Sequence, residues 1–173
     1  MFDVCIKYSI SDEEKKKFFL KKTGSVRITG NLNKCNDVIF KPESFEDLQK
    51  AVNSKMPLGI IDSEQLFEKN SLHYVKSGID DSVGKLMGRK KIALVFNLKQ
   101  LLVQKGIGRS ITVERMRRNM GYAVKYKIPV LFASQAGSKF ELFNGIMIKS
   151  IAKVLGLKDW KWAVESYNRS VQS

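Results

Sequence analysis

Short apolar runs alternate along the chain with stretches whose apolar residues recur every three or four positions, the pattern of strands separated by helices. Phe2–Lys7, Ser25–Thr29, Asp37–Phe40 and Leu58–Ile61 read as strands, with a brief fifth at His73–Val75. Lys91–Phe96 and Ile128–Ala133 are β runs with almost no polar interruption. Such runs are typical of strands covered on both faces, as in parallel sheets. Helices are expected over Ser11–Lys22, Ser44–Asn53, Ser82–Met87, Asn97–Val103 and Ile146–Leu155. A short one runs from Ser63 to Phe67, and a last one begins at Asp159 with Trp160, Ala163, Val164 and Tyr167 on it. Ser, Asp and Asn at the starts of these helices supply caps, and Gly156 supplies a stop.

The best-defined helix spans about Thr112 to Tyr126. At 100° per residue, Val113, Met116, Met120, Ala123 and Val124 form its expected buried stripe. Arg115, Arg118, Tyr122 and Lys125 then share the opposite, solvent side, with Arg117 at the flank. Strands alternating with helices define the α/β class and a parallel sheet. About seven strands in this order suit one compressed β/α barrel, TIM-like, better than a doubly wound sheet.

A length of 173 residues with no repeat or linker composition predicts a single domain over 1–173. No run of about 18 apolar residues is present, which excludes a spanning helix. The first residues lack the positive-then-apolar pattern of a signal peptide. Cys5 and Cys35 are read as reduced thiols, and the expected location is the cytoplasm.

Charge changes the picture most. The net charge is +14, yet residues 1–81 carry thirteen basic and thirteen acidic side chains. Residues 82–140 carry thirteen basic residues against one acid, Glu114, so the excess is concentrated in the second half. A surface built for solubility alone mixes both signs, whereas a one-signed field attracts a polyanion.

Catalytic groups are sparse. His73 is the one histidine, so a zinc site or an imidazole-activated serine has no set of partners. Gly106-Ile107-Gly108 lacks the third glycine of a dinucleotide fingerprint, and there is no Gly-Lys-Ser/Thr phosphate loop. Metal ions would have to be gathered by Asp62, Glu64, Asp80 and Asp81, a clustering better explained by turns and helix caps. The expectation is therefore no catalytic residue and no protein-bound cofactor or metal. For RNA the residues are better suited. Arg89, Lys90, Lys99, Arg109, Arg115, Arg117, Arg118 and Lys125 offer donors to phosphate, and Tyr122 offers a ring for an unpaired base. Ser134, with Lys139 nearby, lies in a small-residue loop after a strand, where backbone amides can approach an anion.

The run Asn119…Ala123…Lys125-Tyr126-Lys127-Ile128-Pro129-Val130-Leu131-Phe132-Ala133-Ser134-Gln135-Ala136 resembles the archaeal and eukaryotic ribonuclease P protein component 3 family. His73–Asp80, Phe96–Leu102, Phe140–Leu142 and Leu155–Leu157 are similar to further stretches of that family. Phe143 stands where the family commonly has an arginine, and Gly145 where it tends to have proline. The resemblance implies a β/α barrel of the polymerase-and-histidinol-phosphatase type without its metal-binding histidines. It implies a subunit that supports the catalytic RNA which removes the 5′ leader of precursor tRNA, with magnesium bound by the RNA. The implied partners are ribonuclease P RNA, a small RRM-like protein subunit, other ribonuclease P proteins and, indirectly, precursor tRNA. No membrane is involved. Two rival readings are a general structured-RNA-binding module and a metal-dependent phosphoesterase.

Overall fold

The computed structural model describes residues 2–4, 22–24, 27–36, 38–67 and 76–158. The expected strand at His73–Val75, the helix from Asp159 and all but the last residue of the helix over Ser11–Lys22 lie outside them. The strands are β1 (Phe2–Val4), β2 (Lys22–Gly24), β3 (Ile28–Thr29), β4 (Ile39–Phe40), β5 (Gly59–Ile61), β6 (Ala93–Asn97) and β7 (Val130–Ala133). Every pairing between them is parallel, in the order β2-β1-β7-β6-β5-β4-β3. Lys22, expected to end a helix, instead begins β2.

Connectivity bends this sheet. β2 and β3 sit at its two ends, yet only four residues of advance separate Gly24 from Ile28. Four residues reach at most about 14 Å, whereas six inter-strand steps in a flat sheet span about 29 Å. The ends must therefore curl toward each other. Burial agrees. Leu94 and Phe96 face the main core, while Ala93 and Val95 face a second cluster with Ile39, Ile61, Leu131 and Ala133, made of strand residues alone. A sheet can bury such a face by curving onto itself. Gly59 helps to keep that interior narrow, since a Cβ there would stand 2.9 Å from the Val95 side chain. The described pairings leave β2 and β3 unpaired with each other, so the sheet is a parallel α/β sheet open along that seam rather than a closed barrel.

Helices cover the convex face. In α1 (Phe45–Ser54) Ser44 Oγ accepts the Asp47 amide, and Leu48, Ala51 and Val52 turn inward. In α2 (Asp81–Lys90) Asp80 caps the Val83 amide, and Val83 and Met87 are buried. The short α3 (Lys99–Val103) follows β6, whose last residue Asn97 accepts the Lys99 amide with its side chain. The longest helix, α4 (Gly106–Tyr126), lies between α3 and β7. In α5 (Gly145–Val154) Asn144 caps the Ile146 amide, and Ile148 and Ala152 join the core. Phe143 is a core residue, 4% exposed.

Helix α4 begins six residues before the expected Thr112. Two glycines in its first turn cost about 1 kcal/mol each in propensity. Gln104 anchors that turn: its carbonyl accepts Arg109 Nε at 2.8 Å and its side chain accepts the Thr112 hydroxyl at 2.5 Å. The buried residues of α4 are Thr112, Arg115, Met116, Asn119, Met120 and Ala123. Their mean direction is turned roughly 60° from the stripe expected on hydrophobicity alone. Val124, expected inside, is 50% exposed.

Candidate functional site

Because all strands are parallel, their C-terminal ends share one rim, the place where β/α folds gather functional side chains. Lys41 follows β4, Asp62 to Glu64 follow β5, Asn97 ends β6 and Ser134 follows β7. The chain turns sharply after β5, with Asp62 in the left-handed region at φ 59°. That turn aims the Asp62 carboxylate at Asn97, whose Nδ2 donates to it at 2.8 Å, and at the Lys41 ammonium 3.2 Å away. From above, α4 contributes two buried polar side chains. Asn119 Nδ2 donates to Ser63 Oγ at 3.2 Å and to the Ser77 carbonyl at 2.8 Å. Arg115 Nη1 donates to the carbonyls of Glu64 and Phe67.

Glu64 is fully buried, and neither carboxylate oxygen has a hydrogen-bond partner of normal geometry. Burial, reinforced by the neighbouring Asp62 charge, pushes its carboxyl up to about 8. Asp62 and Glu64 thus come together, as a metal-gathering reading requires, but one is held by Lys41 and Asn97 and the other is mainly protonated at neutral pH. Asp80 is a helix cap and Asp81 lies on the surface. No group of three His, Cys, Asp or Glu side chains suited to a metal ion occurs among the described residues. This rim is a buried polar network that fixes α4 to the turn after β5.

The cations expected to meet RNA divide into two groups. Arg115 is the main correction: it is 5% exposed and holds the fold. Lys90 is drawn inward too, its ammonium donating to the Val52 and Asn53 carbonyls at 2.8 and 2.7 Å, which satisfies the C-terminus of α1. Ser134 is 1% exposed and its hydroxyl accepts the Ala136 amide, so its side chain shapes the turn after β7 instead of facing a ligand.

The others face outward. Arg89 and Arg109 are exposed, and Lys99 is half-buried against Glu141 at 3.3 Å. Lys139 begins a 3-10 turn, and its side chain lies outside what is described. Arg118 lies over the Tyr122 ring at 5.8 Å, and Tyr122 stacks on Tyr126 with rings 6.5 Å apart and 7° from parallel. Lys125 pairs with Asp81 at 2.7 Å, and that ion pair together with the Tyr126 hydroxyl holds the Asp81 carboxyl below its ordinary range. Arg117, which the helical spacing leaves at the flank, is exposed on α4, and Lys127 is exposed at its end. Sequence reasoning counts Arg117 among the guanidinium donors to phosphate while leaving it at the flank, and does not assign Lys127, although both belong to the one-signed window.

The fold and this face define a class: an α/β protein on a curled parallel sheet whose longest helix carries an exposed, strongly cationic surface with two stacked tyrosines. Within that class the chain resembles the ribonuclease P protein component 3 family in both sequence and fold. It is 24% identical over 123 residues to ribonuclease P protein component 3 of Methanocaldococcus jannaschii, covering 71% of this chain and 50% of that protein. A chain in the cryo-EM structure of archaeal ribonuclease P with mature tRNA superposes with a TM-score of 0.66 at 19% identity. That match covers 99% of this chain and 80% of the other. Sequence likeness also extends to the acetyl-coenzyme A carboxylase carboxyl transferase subunit beta of Christiangramia forsetii, at 23% identity over 79% of this chain and 48% of that protein. The chain spans about half the length of these curated relatives. No family model matches it.

Proposed function

We propose that this chain is a protein subunit of ribonuclease P that binds and supports the catalytic RNA removing the 5′ leader from precursor tRNA. The observation that carries the reading is the exposed cationic face of α4, in a chain that resembles component 3 in sequence and in fold. The likeness to carboxyl transferase subunits is one of sequence, and the fold agreement with a ribonuclease P chain favours the RNA reading. Arg109, Arg117, Arg118, Lys125 and Lys127 supply charge for phosphates, Arg89 and Lys99 extend it, and Tyr122 is the candidate stacking ring. Neutralising phosphates lets RNA helices pack closely, and guanidinium forks fix their register.

In this reading cleavage belongs to the RNA, which also holds the magnesium. The protein alone has no nuclease activity, in keeping with an Asp62 carboxylate tied up by Lys41 and Asn97 and a Glu64 carboxyl raised by burial. Its partners are ribonuclease P RNA, a small RRM-like subunit and other ribonuclease P proteins, with precursor tRNA touched indirectly in the cytoplasm. No helix among the described residues is long and apolar enough to cross a membrane. The test is co-purification with sequencing of bound RNA, followed by reconstituted precursor-tRNA cleavage at low magnesium. Recovery of unrelated RNAs alone would leave a general RNA-binding module in place of this reading.

A further inference from the structure

Arg117 stands between two depressions on the outer side of α4. The smaller, about 290 Å³, runs back from it toward Arg109. The larger, about 680 Å³, runs forward past Gly121 and Val124 to Lys127, and to Lys158 in the segment that follows α5. At 100° per residue, Val113, Arg117, Gly121 and Val124 share one stripe of the helix, roughly 120° round from Arg118 and Tyr122. The depressions therefore lie on a different face from the stacked tyrosines. Among the described residues no carboxylate lies within ion-pair distance of Arg117, so its guanidinium is not spent on an acid there. Gly121 stands in the wall of the larger depression, in mid-helix, where glycine is a poor choice. A Cβ there would meet no atom within 4 Å, so packing among the described residues does not require it. A glycine facing an open groove lets a ligand approach the backbone closely.

The lining distinguishes between occupants. The apolar stripe of a protein helix needs an exposed apolar floor. Here Val124, 50% exposed, is the only large apolar side chain that offers one, because Leu155 and Leu157 are 2% and 3% exposed and belong to the core. A continuous RNA duplex presents phosphates and sugars and leaves a cavity unfilled. A base turned out of its stack fits better. Such bases are held against apolar side chains and on guanidinium planes, and pockets for small ligands run to about 300–1,000 Å³. We propose that the larger depression seats one unpaired nucleotide of a bound RNA. Its base lies over Gly121 and Val124 with the Arg117 guanidinium against it, and Lys127 and Lys158 meet the flanking phosphates. Glu114 lines the smaller depression and not the larger, which directs the phosphates toward the Lys127 end. The inference rests on the RNA-binding part of the reading above and adds to it a second base site, separate from Tyr122.

The experiment uses the full chain, labelled with nitrogen-15 and at its methyl groups. The probes are two synthetic RNA duplexes of one sequence, one of them carrying a single bulged adenosine. The bulged duplex should bind about tenfold more tightly, the effect of one seated base. It should also shift the Gly121 and Val124 amides saturably and bring its adenine protons into contact with the Val124 methyls. Gly121→Leu fills the depression without changing charge and should bring the ratio of the two affinities to about one. Arg117→Lys keeps the charge but not the plane and should reduce the preference at least threefold. Both variants are compared once their spectra show them folded. Equal affinity for the two duplexes with unmoved groove amides would overturn the proposal and leave the RNA reading standing. A preference that survives Gly121→Leu would overturn it as well. Failure of both duplexes to bind would overturn the RNA reading together with it. Methyl contacts in the free protein between Val124 and residues 159–173 would also overturn it, because the chain's own end would then fill the depression.

Discussion

Arg115, from the middle of α4, lies 3.0 Å from the carbonyl oxygen of Glu64 and bridges it to the Phe67 carbonyl, with only 5% of its surface exposed. One guanidinium thus joins the longest helix to the turn that ends β5. Removing it strands one buried and one part-buried carbonyl, at about 1–3 kcal/mol for a buried one. Arg115→Ala should therefore lose roughly 2–4 kcal/mol in urea denaturation, and Arg115→Lys should not recover it, because an ammonium lacks the fork. Stability within about 0.5 kcal/mol of the parent, the level of an exposed site, would return Arg115 to the surface.

Glu64 makes stability depend on pH. Its carboxyl is raised to about 8 in the folded chain, chiefly by burial, against an ordinary value of 4.5. Between these values the folded state binds more protons than the unfolded one, so stability falls as pH rises. The contribution is fully present below the ordinary value and lost by the time the folded group ionises. Glu64→Gln keeps the shape without the ionisation. Its melting temperature, relative to the parent, should rise from pH 5 to about pH 8 and level off above it. Parallel melting profiles for the two proteins across that range would show that Glu64 does not titrate this way.

How much of the molecule is legible in the sequence differs by element. β6 and β7 can be read nearly to their ends because buried parallel strands are uninterrupted apolar runs, a local property. Ser44, Asp80 and Gly156 mark helix ends for equally local reasons. The orientation of α4 is not local. Treating charge as exposure places Arg115 outside, but its acceptors lie 51 and 48 residues earlier, and those of Asn119 lie 56 and 42 earlier. Only the fold brings that turn under the helix. A signal exists in the spacing: Thr112, Arg115 and Asn119 run beside Met116, Met120 and Ala123 as one continuous stripe. Lys90 is misread for the same reason, its partners lying on α1. The cationic window itself is legible in full, because net charge does not depend on the fold.

RNA affinity should fall steeply with salt, since each phosphate that a cation neutralises releases counterions. Deleting one such cation should lower the slope of log affinity against log salt by about one. Arg118 is exposed and lies over Tyr122. Arg118→Ala should therefore flatten the slope by about that amount while changing stability by no more than about 0.5 kcal/mol. Tyr122→Ala should weaken binding to single strands with little change in slope, because stacking carries no charge. Filter binding at several salt concentrations separates the two. A parent protein whose affinity hardly responds to salt would defeat the electrostatic account of the α4 face.

Two glycines in helices should respond to alanine with opposite signs. By propensity alone, Gly→Ala inside a helix gains about 1 kcal/mol. A Cβ added at Gly121 meets nothing within 4 Å, so Gly121→Ala should stabilise the isolated chain by roughly 0.5–1 kcal/mol. Gly88 in α2 is the opposite case: a Cβ there would stand 2.2 Å from the Tyr126 carbonyl oxygen, at the end of α4. Backbone cannot step aside as a flexible side chain does, so α2 and α4 would have to separate. Overpacking of this kind costs about 1–3 kcal/mol and outweighs the propensity gain. Gly88→Ala should thus be net destabilising, and the loss should be accompanied by faster amide exchange at Ile128, which donates to the Ala123 carbonyl just beyond the close approach. Urea denaturation of the two variants side by side decides it. Stabilisation by both would mean that α2 and α4 do not approach at Gly88, and destabilisation by both would mean that Gly121 is packed against something in the chain itself.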